Sequence, residues 1–102
     1  MSKADYDSPG QQRILRALIV MAGNEFQGVT PGDYARAMNV TPGTATRDLH
    51  NLKAVGFAEQ IQETGRWRLG PKPVQIALAF STHLSRAQQR VQEINNRYTR
   101  EP

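Results

Sequence analysis

Residues 30–56 read TPGDYARAMNVTPGTATRDLHNLKAVG, and within them the tripeptide TPG occurs twice, eleven residues apart. In each copy the Thr hydroxyl can cap a helix N-terminus, and the Pro falls at the first helical position, where a missing N–H costs no intrahelical bond. Asp33 follows Thr30 by three residues, an acidic variant of the capping box that also suits the positive end of the helix dipole. Helices are therefore expected to start near Pro31 and Pro42. The first must end by about Met38, since Asn39 tolerates a left-handed backbone and Thr41 is already capping the next helix. A two-turn helix, a three-residue turn and a longer helix ending at Gly56 make a helix-turn-helix, the element whose second helix enters a DNA major groove.

At 100° per residue this second helix, residues 42–55, turns Ala45, Leu49 and Leu52 to one side, with Val55 at the edge. The other side carries Gly43, Thr46, Arg47, His50, Asn51 and Ala54. These are small or hydrogen-bonding groups with no large apolar side chain, as a helix lying in a groove requires. An ordinary solvated face would be richer in Glu and Lys. In the preceding helix Tyr34, Ala35 and Met38 share a face, and Ala35 is small where a crossing helix needs close approach.

Upstream, Ser8 caps a helix opened by Pro9, and Ile14, Leu15, Leu18, Ile19 and Ala22 form the stripe expected to be its one buried face, ending at Gly23-Asn24. Residues 1–7 read as a disordered tail. Gln27 to Val29 can pair as a minor strand before the Thr30 cap. Downstream, 57–62 and 66–69 read as two strands joined by Glu63-Thr64-Gly65. Trp67 and Leu69 point one way along the second strand and Arg66 and Arg68 the other, as in the wing of a winged helix. Trp67 is expected in the core rather than stacked on a base; Arg66 and Arg68 fit either phosphate contact or simple exposure.

From Pro73 the pattern changes. Ala77, Phe80, Leu84, Ala87, Val91, Ile94 and Tyr98 are spaced alternately by three and four residues, a heptad seam over three repeats. Val74, Ile76 and Leu78 widen the apolar face at its start, and that part is expected to pack on the winged domain. One helix over 74–99 would be roughly 39 Å long at ~1.5 Å per residue, too long for a small domain to cover. The competing possibility is a new helix at Ser85, where Gln88 completes a capping box and the chain folds back. The continuous helix is the favoured reading, with Leu84, Ala87, Val91, Ile94 and Tyr98 as a dimerisation surface.

The bulk numbers agree with one domain plus one appended element: 102 residues, net charge +4 and no Cys. Without Cys, disulfide scaffolds, Cys-ligated zinc and thiol catalysis are excluded, and a reducing cytoplasm is the expected setting. The start, MSKADYDSPG, has no signal-peptide core, and the longest apolar stretch, Ala17 to Ala22, is far below spanning length. Charge is asymmetric. Residues 1–65 hold six basic against seven acidic side chains, and 66–102 hold seven against two. That asymmetry fits a polyanion partner, and equally a solubilising surface.

The order of these elements, with a VGF junction and a WRLG exit, resembles the N-terminal DNA-binding domain of IclR-type transcriptional regulators. The resemblance is carried by VTPGDYARAMNVTPGTATRDLHNLKAVGFAE (29–59) and GRWRLGP (65–71), and extends over residues 11–84. It implies that Thr44, Thr46 and Arg47 occupy the Ser/Thr-rich start and the basic position of the recognition helix. It also implies that the helix after the wing links and dimerises. Three departures stand out. Asp48 sits where the family tends to an aliphatic residue, and needs a basic partner such as Arg13, Arg16 or Arg36 unless that edge is less buried. Asn39 replaces a usual Gly. The chain ends at Pro102 where family members continue into a metabolite-sensing domain, so no small-molecule effector is expected.

No enzyme constellation is present. His50 and His83 are the only histidines and neither has a metal-ligand spacing. There is no phosphate-cradling glycine loop and no GxSxG, so no cofactor and no catalysis are expected. The resulting expectation is a mainly α fold with a small β-hairpin: a winged helix-turn-helix over 8–72 and a C-terminal amphipathic dimerisation helix over 73–102. Its function would be sequence-specific binding of double-stranded DNA by a homodimer. Thr44, Thr46, Arg47, His50, Asn51 and Lys53 would supply the recognition-helix contacts, and Arg66 and Arg68 in the wing, 57–70, those to the backbone or minor groove. The alternative is a winged-helix protein-interaction module with the C-terminal helix as its main contact, since fold alone does not decide function.

Overall fold

A computed structural model describes residues 5–102. Four of the seven residues expected to form a disordered tail, 1–4, lie outside the described residues; Asp5, Tyr6 and Asp7 are exposed. The element order is α1 (Pro9–Met21), α2 (Pro31–Met38), α3 (Pro42–Ala54), β1 (Ala58–Gln60), β2 (Trp67–Leu69) and α4 (Pro71–Thr99). The chain divides into two units, one up to Pro71 and one from Lys72 to Pro102.

Each short helix of the first unit starts where a hydroxyl side chain satisfies a free backbone N–H. Ser8 accepts from the Gln11 N–H at 3.3 Å. Thr30 accepts from the Asp33 N–H and Asp33 from the Thr30 N–H, both at 3.0 Å, so the acidic capping box is formed in full. Thr41 accepts from the Thr44 N–H at 3.2 Å. Between α2 and α3, Asn39 takes φ 55° and ψ 53°, the left-handed conformation that turns the chain in three residues. After α3 the turn is made by Gly56 at φ 84°, and Phe57 N–H closes the helix end on the Leu52 carbonyl at 2.9 Å.

The hairpin is shorter than the alternation suggested. β1 and β2 pair antiparallel through Ala58–Leu69, Glu59–Arg68 and Gln60–Trp67. At its ends the residues are shared: Phe57 gives its N–H to the helix closure but accepts Gly70 N–H on its carbonyl at 3.0 Å, and Ile61 donates across to the Arg66 carbonyl at 2.7 Å while its own carbonyl accepts Gly65 N–H in the turn at 2.7 Å. Val29 bridges the other edge of β2, exchanging 2.7 and 2.8 Å hydrogen bonds with Trp67. Gly28 makes this approach possible: its φ is 75°, and a Cβ there would lie 2.9 Å from Arg66 Cβ, Ile61 Cδ1 and the Trp67 carbonyl oxygen.

Ala17, Met21, Tyr34, Ala45, Leu49, Leu52 and Trp67 form the centre of the core, joined by Val29, Ala35 and Ala58. Full burial of a side chain the size of Met21 or Leu49 is worth roughly 1.5–3 kcal/mol. The face of α1 is a correction. Ile14 and Leu18 are half-buried and Ala17 and Met21 fully buried, whereas Leu15 and Ile19 are 65 % and 77 % exposed and Ala22 is exposed too. The expected stripe spans about 140° of the helix, too wide for one packing face at 100° per residue. Its rotation is chosen by Arg13, which must face Asp48 on α3 and thereby turns Leu15 and Ile19 outward.

The second unit is α4, one unbroken helix of 29 residues from Pro71. It is roughly 44 Å long at ~1.5 Å per residue. Ser85 and Gln88 lie inside it, so the folded-back alternative does not occur. None of its residues is buried. Val74, Ile76 and Leu78, expected to be covered, are 57–61 % exposed, and the seam residues Phe80, Leu84, Val91, Ile94 and Tyr98 are 48–78 % exposed. No helix among the described residues is long and apolar enough to cross a membrane.

Candidate nucleic-acid interface

α3 presents its polar side outward because its apolar side is fixed by the core. Ala45, Leu49 and Leu52 are buried, and Asp48, in the same helical phase, is only 5 % exposed. A carboxylate there is costly unless fully paired. Arg13 on α1 donates to it twice, Nε to Oδ2 at 2.7 Å and Nη2 to Oδ1 at 3.0 Å, and the Tyr34 hydroxyl on α2 donates to Oδ2 at 2.8 Å. Burial pushes the Asp48 carboxyl up, but the hydrogen bonds from Arg13 and Tyr34 outweigh it and hold the group below its ordinary value. The Tyr34 phenol is pushed well above its ordinary value, first by burial and then by Asp48. Of the three arginines expected as partners, Arg13 is the one used. Tyr34 was legible only as a core residue, because a sequence does not show where its hydroxyl ends.

This network orients the outer face of α3. Thr46 and Arg47 are exposed there. Thr44 is half-buried; its N–H is bound to the Thr41 hydroxyl and its own hydroxyl accepts from it at 3.1 Å, leaving the Thr44 hydrogen free to donate outward. The Asn51 amide donates back to the Arg47 carbonyl at 2.8 Å, which leaves its oxygen free to accept. His50 behaves differently. Its ring meets Trp67 edge-on, with centroids 5.1 Å apart and planes at 76°. Lys53, in the last turn, lines an open cleft of about 420 Å³ with Gln60, Ile61, Gln62 and Gly65 of the wing.

The wing offers one arginine without a salt bridge rather than two. Arg68 lies opposite Glu59 in the hairpin register and donates to its carboxylate at 2.7 Å, with a second contact to the Glu25 carbonyl at 3.5 Å. Arg36 is likewise paired, with Asp33. Arg47, Lys53 and Arg66 form no salt bridge among the described residues. Three cations thus stand unbridged on α3 and the wing, near hydrogen-bonding groups on α3. No group of three or more His, Asp or Glu among the described residues could hold a metal ion.

Solved structures share this fold. An IclR family transcriptional regulator from Brucella abortus superposes with a TM-score of 0.66 over 82 % of the chain, at 18 % identity. The fold is a winged helix-turn-helix. Pseudomonas aeruginosa HmgR matches 67 % of the chain with a TM-score of 0.55 and 26 % identity. A mutant of S. aureus MepR matches 89 % with a TM-score of 0.52 and 17 % identity. The chain spans 31 % of the Brucella regulator's length and 26 % of HmgR's. No protein-family profile and no curated protein sequence matches it. The winged helix-turn-helix expected from the TPG repeat and the WRLG exit is therefore matched at the level of fold, in an IclR family regulator among others.

Proposed function

We propose that the chain is a sequence-specific double-stranded DNA-binding transcriptional regulator of the IclR type, acting in the cytoplasm as a homodimer. The observation that carries this reading is where three cations stand: Arg47 and Lys53 on α3 and Arg66 in the wing form no salt bridge among the described residues, and on α3 they lie beside the hydrogen-bonding groups of Thr46 and Asn51. In this reading α3 lies in the major groove. Arg47 donates to a guanine edge with Thr46 and Asn51 beside it, while Thr44, at the start of the helix, contacts phosphate. Lys53 and Arg66 contact the backbone, and Arg68 acts less directly through its pairing with Glu59.

The dimer would form through the α4 seam. Leu84, Ala87, Val91, Ile94 and Tyr98 share one face of a helix none of whose residues is buried. A two-fold pair of chains places two recognition helices on half-sites about 34 Å apart, or a multiple of that. Titration of the protein with duplex DNA at rising salt tests the reading. Phosphate contacts require log K to fall linearly with log salt, at a slope of about −0.9 per contact. Binding that is absent at low salt would overturn it. The exposed α4 seam also favours a second reading, a protein-interaction module. DNA indifference together with a defined complex that forms through α4 would establish it instead.

A further inference from the structure

The contact between His50 and Trp67 assigns His50 a place that its position on α3 does not suggest. At 100° per residue, the outer face of α3 runs from Lys53 and Thr46 through His50 to Arg47 and Asn51. His50 is therefore near its middle. Yet its ring sits edge-on to Trp67 at 5.1 Å and 76°, within the range of attractive aromatic pairs. Trp67 is the hub of the wing. It is buried, pairs with Gln60 on one side and Val29 on the other, and directly follows Arg66, the wing's unbridged cation. A ring held against Trp67 fixes β2 relative to α3, and with it the distance from the groove-facing side chains to Arg66.

We infer that His50 is a positioning residue: it sets the wing on the recognition helix through Trp67, so that Arg66 meets phosphate when α3 is seated, rather than reading a base itself. This rests on the DNA-binding reading above. It separates the polar residues of α3 by task, with Arg47 discriminating sequence and His50 setting the geometry of a sequence-independent contact. The Asn51 oxygen and the Thr46 hydroxyl remain on the same face for base edges.

Two substitutions divide ring from hydrogen bond. His50→Phe keeps an aromatic edge on Trp67 and cannot hydrogen-bond a base; His50→Gln keeps a hydrogen-bonding group and loses the ring. Trp67 is the only Trp in the chain, so its emission reports the contact in the free protein, without DNA. The expected result is that His50→Phe retains native Trp67 emission, DNA affinity, base preference and salt slope. His50→Gln should shift Trp67 emission to the red and increase its access to a soluble quencher. It should also weaken binding several-fold on all sequences alike, and flatten the salt slope by about one unit as the Arg66 contact is lost. If His50→Phe relaxes preference at one base position while His50→Gln keeps it, His50 is a base reader and the inference is wrong. It is equally wrong if both variants bind as the native chain does, or if both lose binding to the same extent. Failure of the native chain to bind any duplex would instead remove the DNA-binding reading, whereas the emission data would still show whether the ring holds the wing.

Discussion

α3 and α4 are both amphipathic helices, and they have opposite fates. α3 buries Ala45, Leu49 and Leu52 in its own unit and even seats a carboxylate among them, while α4 carries a longer apolar seam and buries no residue at all. The first unit closes on itself because its elements meet around one core and one ionic network. The outer face of α3 is fixed by contacts within its own unit, while in the proposed reading the α4 seam is completed by a second copy, so the two should respond independently to substitution.

The largest expected effect is on α4. Val91→Asp combined with Ile94→Asp puts charges into the seam of both copies, and should weaken self-association about a thousandfold, about 4 kcal/mol. Sedimentation should show monomers whose first unit melts as before. A full DNA site should then be bound much more weakly than by the native chain, because the two half-sites are no longer linked. A native chain that is already monomeric at tens of micromolar would remove α4 from the account of assembly.

Breaking the network should do the reverse. Arg13→Ala strands the Asp48 carboxylate with only Tyr34, and should destabilise the first unit by about 2–4 kcal/mol in urea unfolding. Self-association through α4 should be unchanged. Arg13→Ala with Asp48→Asn should cost less than the first substitution alone, because no unpaired charge remains. Acid gives a second handle. Asp48 is held below its ordinary value in the fold, so its contribution is fully present above the unfolded-state value of about 3.9 and is lost as pH falls through the lower folded-state value. Asp33, lowered by its hydrogen bonds to Thr30, acts in the same direction. Melting temperature should be flat from neutrality to about pH 5 and fall below about pH 4, less steeply in Asp48→Asn.

The recognition face separates by a smaller margin. Arg47→Ala should weaken the preferred site by about 1–3 kcal/mol and relax preference at one base position, measured by binding to a set of single-base variants. A uniform loss over all sequences would make Arg47 a phosphate contact. Smallest of all is the difference between the two wing arginines. Arg66→Ala should flatten the salt slope by about one unit, and Arg68→Ala by much less, since Glu59 already holds its guanidinium.

The helix-turn-helix was legible because its signals are local. Thr30, Asp33, Asn39, Thr41 and the two prolines act within four residues of themselves, and every one does what its chemistry suggested. Of the minor strand expected over Gln27 to Val29, Val29 alone pairs, as a single bridge to Trp67 thirty-eight residues on, and Trp67 takes the core place its type suggested. Long-range choices were less legible. Which flank of α1 is buried depends on Arg13 finding Asp48 thirty-five residues away, and a period of 3.6 does not choose between two adjacent apolar flanks. Arg68 looked as open as Arg66 because strand alternation shows direction but not the partner across the ladder. His50 looked like its neighbours on α3 because Trp67 reaches it only through the fold. In each case the missing information was a contact between elements.

Selection of bound duplexes from a random DNA pool tests the central claim most directly, since it reads affinity, base preference and half-site symmetry together. The account predicts enrichment of a two-fold symmetric sequence with half-sites about 34 Å apart or a multiple of that, lost on Arg47→Ala. A pool that stays random at low salt, with the native chain folded, would contradict it.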